Sequence, residues 1–192
     1  DHGAKVVLIE REPILGGTTR KSGGVAWIPN HFLLRQAGVN DAKADCLQYL
    51  ARFAYPHLYT ASSPTLGLTA EAYKTLEAFY DNGYQMIDYM AKLDAAKFAS
   101  FTVGADKTLP ADYADHLPEN KVPKGRALTP LDANGVPVYG NTGDGAHLIN
   151  RLQGWLKKHN VPMLTKTKAT KLIKSGDRVI GVEAEHDGKP VR

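Results

Sequence analysis

The phrase Val6-Val7-Leu8-Ile9-Glu10 constrains the fold more than any other part of the chain. An apolar, β-branched run without polar alternation suits a strand buried on both faces of a parallel sheet. Ahead of it, Asp1-His2-Gly3-Ala4-Lys5 reads as the terminus of a helix, with Gly3 near a C-cap position. A parallel strand needs a crossover to its neighbour. Nothing before Val6 supplies one, so the strand is expected to lack its natural partner.

The rest of the chain alternates helix, irregular and strand signals. A Gly-, Thr- and Ser-rich loop from Arg11 to Pro29 leads into a short helix. Helical spacing follows from about Asp41 to Phe53, with Asp41 as a candidate cap. A second helical stretch spans about Thr69 to Tyr80; Asn82-Gly83 is expected to break it, and Tyr84 to Leu93 resumes the pattern. Lys97 to Val103 is strand-like. Asp106 to Asn141 contains five prolines and reads as a long irregular segment, a length that is more often functional than idle. Asp144 to His159 forms an amphipathic helix, with Leu148, Leu152 and Trp155 on one face and Asp144 at its N-cap. Strand signals follow at Pro162–Thr165, Ala169–Lys174 and Val179–His186, the last two joined by a turn at Ser175-Gly176-Asp177.

This order predicts an α/β fold: part of a Rossmann-like nucleotide-binding domain carrying an inserted α+β region on the substrate side. The expected division is 1–40, 41–141 for the inserted region, and 142–192 for the return to the first domain. No internal repeat is present.

Composition excludes several function classes. With 192 residues and 43% hydrophobic content the chain can bury a core. Its net charge of +4 is a small surplus of 24 basic over 20 acidic residues. The lysines between Lys157 and Lys174 alternate along strand-like sequence with no interleaved aromatics, which is a solvated face and not a nucleic-acid surface. No run reaches the roughly 18 apolar residues of a membrane span. The lone Cys46 rules out an intramolecular disulfide, fits a reducing, cytoplasmic setting, and sits in a helical pattern as a small packing residue. The histidines are scattered without metal-ligand spacing, so no metal is expected.

Chemistry concentrates in the stretch after the first strand. An acidic residue at a strand end can accept hydrogen bonds from the hydroxyls of an adenosine ribose, although a plain strand-end charge looks the same. The glycines add weight. Gly16-Gly17 lets backbone approach a ligand closely and turns N–H groups towards phosphate oxygens. Thr18, Thr19 and Ser22 bring short hydroxyls, and Gly23-Gly24 removes side chains where a flat ring would pass. Two glycine pairs and three hydroxyls so soon after Glu10 favour a ligand loop over an idle turn. A nicotinamide-nucleotide protein would share the strand-Glu signal but would not explain residues 16–30.

The phrase from Glu10 through Gly16-Gly17-Thr18-Thr19 and Ser22-Gly23-Gly24 to Trp27-Ile28-Pro29-Asn30 resembles the flavin loop of the fumarate-reductase and ketosteroid-dehydrogenase superfamily. Its ending is closest to the 3-ketosteroid-Δ1-dehydrogenase branch. Tyr113 to Glu119, Gly125 to Pro130, Gly143 to Ile149 and Arg178 to Val182 are similar to later segments of the same family.

The resemblance implies FAD as cofactor. It assigns Glu10 to the adenosine ribose, Gly16, Gly17, Thr18 and Thr19 to the flavin and its diphosphate arm, and Ser22, Gly23 and Gly24 to the isoalloxazine. On a looser alignment, Ala169 approaches the adenine. The family's catalytic tyrosine aligns with His116, three residues after Tyr113; an exposed loop histidine is the competing reading. Arg126 is a candidate partner for a substrate carboxylate, though a structural ion pair suits it better. The implied reaction is oxidation or reduction of a CH–CH bond beside an activating carbonyl. The substrate would be a small molecule, a steroid-like ketone first and an unsaturated acid second, with an electron acceptor or donor that the sequence leaves unidentified. The family's Gly-rich first βα turn and later segments lie outside these residues. The chain alone is therefore expected to be an inactive, weakly flavin-binding fragment.

Overall fold

The computed structural model describes residues 3–191. In chain order the elements are β1 (Leu8–Ile9), α1 (Gly17–Lys21), β2 (Ala26–Trp27), α2 (Phe32–Gln36), α3 (Lys43–Ala54), α4 (Ala70–Lys92), β3 (Phe98–Ser100), β4 (Ala127–Pro130), α5 (Gly145–Lys158), β5 (Met163–Leu164), β6 (Thr167–Ser175), β7 (Arg178–His186) and β8 (Lys189–Val191). The fold is mixed α/β, and among the described residues three small sheets are ordered β1-β5, β2-β4-β3 and β6-β7-β8.

The opening strand is parallel, with Leu8 opposite Met163. Its neighbour, β5, comes from far downstream and pairs along one edge. Burial on both faces is not seen: Val6 and Val7 are each more than half exposed. Of the helix end expected ahead of it, Asp1 and His2 lie outside the described residues, and Gly3 sits in a bend with φ +77°.

Two apolar clusters hold the helices. In one, Cys46, Leu47 and Ala51 of α3 pack with Leu66, Leu68 and Tyr80. In the other, Ile28, Ile87, Ala96, Phe98 and Leu128 meet Leu148 and Leu152 of α5. Lys43 bridges to Asp81 at 2.8 Å and Glu77 at 3.3 Å, joining α3 to α4 across their exposed rim. The aromatic residues serve packing, as with Trp27 beside Tyr49 at 6.0 Å and Tyr49 stacked on Phe53 at 6.1 Å.

Several local expectations are corrected. Asn82-Gly83 does not interrupt α4, which runs unbroken for 23 residues from a Thr69 cap whose hydroxyl accepts the Ala72 N–H. Gly83 is buried against Ile28, and there the packing of a helix face outweighs the poor helix propensity of glycine. Asp41 does not cap α3; Ala42 holds that position and Asp41 is buried in an ion pair. Asp144 does occupy the N-cap of α5, yet its carboxylate accepts from Asn141 N–H and makes no bond to the helix. The long segment 106–141 is not wholly irregular, because β4 runs through it and pairs with both β2 and β3. The β6–β7 hairpin forms with its turn at 175–177, but β6 is exposed along most of its length instead of half-buried. Its lysines face acidic partners across the ladder, Lys168 opposite Glu185 and Lys171 opposite Glu183.

Candidate functional site

Glu10 leaves the carboxyl end of β1, the end at which open α/β sheets place their ligands. Its backbone is fixed twice: the N–H donates to Leu164 O and the carbonyl accepts from Thr167 N–H, at 2.9 and 2.8 Å. One carboxylate oxygen accepts the Glu12 N–H at 2.9 Å. A strand end, a carboxylate with a further oxygen and the first residues of β6 thus meet at one point. Ala169 lies two residues beyond Thr167 on that strand, exposed and paired with Ala184.

The loop after Glu10 divides into two parts with different surroundings. Gly17 has φ +50°, and a Cβ built on it meets nothing within 4 Å. Thr18 and Thr19 follow it, exposed on α1. That part has room for a ligand. Gly16 is tighter, since its φ is +112° and an added Cβ would sit 2.7 Å from Ile149. Gly23 and Gly24 are tighter still. A Cβ on Gly23 would lie 2.2 Å from the Gly140 carbonyl oxygen, and one on Gly24, at φ +73°, 2.8 Å from Gly145 Cα. These two glycines admit another stretch of backbone.

That second stretch is the approach to α5. Ser22 O accepts from both Gly143 and Gly145 N–H, at 3.1 and 2.8 Å. The Ser22 hydroxyl donates to Thr19 O and accepts the Gly24 N–H. Residues 140–145 therefore clamp residues 22–25.

The candidate proton-transfer residues stand elsewhere. Tyr113 is 79% exposed, stacks on Phe53 at 6.3 Å, and accepts the Tyr49 hydroxyl on its backbone carbonyl. His116 is exposed three residues on in the same loop.

Arg126, read from the sequence as better suited to a structural ion pair than to a substrate carboxylate, is the centre of a buried polar network whose partners the sequence did not reveal. Arg126 is fully buried and donates to both oxygens of Asp41 at 2.9 and 2.7 Å. Its other terminal nitrogen reaches Asp112 and Asn120, each at 2.9 Å. The guanidinium lies over the rings of Trp27 and Tyr49 at 5.1 and 5.4 Å. Burial alone would lower its pKa, but hydrogen bonding and attraction from Asp41 outweigh it and the net direction is upward. Arg126 is thus a structural ion-pair residue with no face left for a substrate carboxylate.

His31, also fully buried, bonds Gly125 O through Nε2 at 2.9 Å and accepts Leu34 N–H on Nδ1. Only the neutral ring with its proton on Nε2 satisfies both contacts. Burial lowers its pKa from 6.5, against the raising effects of the Gly125 carbonyl and Asp41. Cys46 is buried and free, with burial pushing its thiol up to about 12, so it is inert packing. Among the described residues no acidic, His or Cys group is arranged to hold a metal ion.

A family model described as "FAD binding domain" matches residues 1–192. The chain belongs to this family. Membership makes FAD the cofactor, and the open Gly17 turn and the Glu10 strand end are the features here that fit it.

Among this FAD-binding chain's relatives is a 3-oxosteroid 1-dehydrogenase of Mycolicibacterium smegmatis, 29% identical over 136 residues, which are 69% of this chain and 20% of the relative. A 3-oxosteroid 1-dehydrogenase of Comamonas testosteroni is 25% identical over 136 residues, covering 70% and 20%. The chain thus spans a fifth of the length of these relatives. A solved 3-ketosteroid delta1-dehydrogenase from Sterolibacterium denitrificans, in complex with 1,4-androstadiene-3,17-dione, superposes with a TM-score of 0.70 at 19% identity, over 98% of this chain and 41% of that one. A flavocytochrome c3 fumarate reductase gives 0.59 at 15% identity, over 97% and 27%. Both likenesses are of fold alone.

Proposed function

We propose that this chain is part of an FAD-dependent oxidoreductase acting on a CH–CH bond next to an activating carbonyl, with a steroid-like ring ketone as substrate. The observation that carries the reading is Glu10 at the carboxyl end of a parallel strand, followed along the chain by an open turn at Gly17. Open α/β sheets bind their dinucleotides at the carboxyl ends of the strands, where Glu10 stands. The choice of substrate follows from relatives that are 3-oxosteroid 1-dehydrogenases.

In this reading Glu10 binds the adenosine ribose hydroxyls, and Ala169 stands at the adenine. Gly16, Gly17, Thr18 and Thr19 meet the diphosphate arm and flavin. Ser22, Gly23 and Gly24 hold the loop beside the isoalloxazine, their close packing on residues 140–145 keeping it rigid. Bound FAD supplies hydride acceptance or donation, while the protein contributes binding, orientation and electrostatics. Tyr113 or His116 moves the proton at the neighbouring carbon. Residues 41–141 form the inserted, substrate-side region. We place the enzyme in a reducing, cytoplasmic compartment, in keeping with the free thiol of Cys46. Among the described residues no helix is long and apolar enough to cross a membrane.

An unsaturated carboxylic acid is the second reading, supported by the fold likeness to the flavocytochrome fumarate reductase. It is weakened by the commitment of Arg126 to Asp41 and Asp112.

The test is a visible spectrum of the purified protein, with the chromophore released by denaturation and compared with free FAD. Anaerobic bleaching by a 3-ketosteroid follows. Stoichiometric FAD that the steroid reduces supports the proposal. FAD that only a dicarboxylate couple oxidises or reduces favours the second reading. A colourless protein that takes up no added FAD makes the chain a non-catalytic part of such an enzyme.

A further inference from the structure

Residues 112–120 form a loop that is buried only at its two ends, Asp112 and Asn120. Between them lie Tyr113 and His116, both exposed. Both ends of the loop meet at a single atom. Arg126 Nη1 donates one proton to Asp112 Oδ2 and the other to Asn120 Oδ1, each at 2.9 Å. The other two guanidinium nitrogens are taken by Asp41, whose Oδ2 also accepts the Asn30 N–H at 2.9 Å. A lysine could not replace this arrangement, because its donors lie at one point and lack the planar fork.

The same arginine reaches the opposite side of the site. Its guanidinium covers the Trp27 ring, and its carbonyl accepts the Ile28 N–H at 2.9 Å. Trp27 to Asn30 follow closely on Gly23-Gly24, the glycines assigned to the isoalloxazine. One side chain thus ties both ends of the 112–120 loop to the exit of the flavin-side loop. Tyr113 itself is oriented from α3. Tyr49 and Phe53 share a face one turn apart; the Tyr49 hydroxyl donates to Tyr113 O, and the Phe53 ring stacks on that of Tyr113 at 6.3 Å.

We propose that Arg126 is a positioning residue: it closes the base of the 112–120 loop and, with Tyr49, fixes Tyr113 and His116 relative to the flavin-side loop. The inference rests on the proton-transfer assignment above and deepens it by naming what holds that loop in place. Apolar packing of similar volume would fill the same space, but it would not fix the two loop ends in direction.

The test uses the full-length holoprotein and measures backbone hydrogen exchange between Tyr113 and Glu119, turnover of a 3-ketosteroid, flavin content and thermal midpoint. Asn120→Ala frees one end of the loop from Arg126. Tyr49→Phe removes the hydroxyl at Tyr113 O and keeps its ring against Trp27 and Phe53, so it reports even if Asn120→Ala folds poorly. Each is expected to speed exchange by about 2- to 10-fold, the effect of one hydrogen bond. In both variants kcat is expected to fall, by about tenfold in Asn120→Ala, with KM and flavin content near wild type. Lys43→Ala breaks the pairs that join α3 to α4 away from the loop; it lowers the midpoint and leaves exchange and kcat unchanged. Unchanged exchange in both loop variants overturns the proposal. So does faster exchange with unaltered kcat, or a loss of kcat that Lys43→Ala matches. If the wild type turns over no ketone, the ring-ketone reading falls by itself and the exchange rates decide the loop assignment.

Discussion

At the scale of single residues, the strongest commitments are in groups that carry charge out of water. Arg126 and Asp41 have no exposed side-chain surface, and Asp112 has 2%. Removing one partner leaves a buried charge without compensation. Arg126→Met is therefore expected to destabilise by about 3–5 kcal/mol, measured by urea unfolding. His31 gives a pH signature. Its folded pKa lies below 6.5, so on acidification through that value the unfolded chain takes up the proton first. Stability then falls, and the loss levels off beneath the lowered folded pKa. In His31→Asn this contribution is gone. The gap in urea midpoint between wild type and variant is expected to narrow from pH 7.5 to pH 5.5; a constant gap would refute the neutral-ring assignment.

Helices and strands show where sequence reading succeeds. The α5 periodicity and the β6–β7 hairpin were legible because local pattern and tertiary contact agree, as where Leu148 and Leu152 reach the core and Trp155 Nε1 bonds Leu93 O at 2.9 Å. Asn82-Gly83 misled because a breaker signal is local, whereas Gly83 is set by Ile28 on another element. A Cβ there would sit 3.6 Å from Ile28, in ordinary contact. Gly83→Ala is thus expected to stabilise the protein by about 0.5–1 kcal/mol, read as a rise in thermal midpoint. Asp41 misled for the same reason. Helix spacing makes an acidic residue before a helix look like a cap, while its true partner, Arg126, is 85 positions away. Glu10 and the glycine loop read in the sequence as a candidate ligand signature, while the division of that loop is not legible there. Whether a glycine faces open space, as Gly17 does, or another backbone, as Gly24 does, depends on residues 140–149.

Over the whole molecule, the clamp between residues 22–25 and 140–145 joins two distant parts of the chain. Gly24→Ala combines a positive φ with a 2.8 Å approach to Gly145 Cα. It is expected to destabilise by about 1–3 kcal/mol and to lower FAD content in the holoprotein. Gly17→Ala meets no neighbour and is expected to cost about 1 kcal/mol or less. Equal losses in the two variants, measured by thermal unfolding, would refute the division of the loop. Family membership and fold likeness extend over nearly the whole chain, so both halves of the clamp lie within the matched region.

The same clamp sets an order of events during synthesis. Ser22 waits for Gly143 and Gly145, and β1 waits for β5, each separated from its partner by more than half the chain. Contacts between such distant residues slow folding because loop closure must precede them. At about 5–20 residues per second, translation leaves the Gly-rich loop unpaired for several seconds after it leaves the ribosome. The Gly-rich loop is thus made well before the segments that give it its shape.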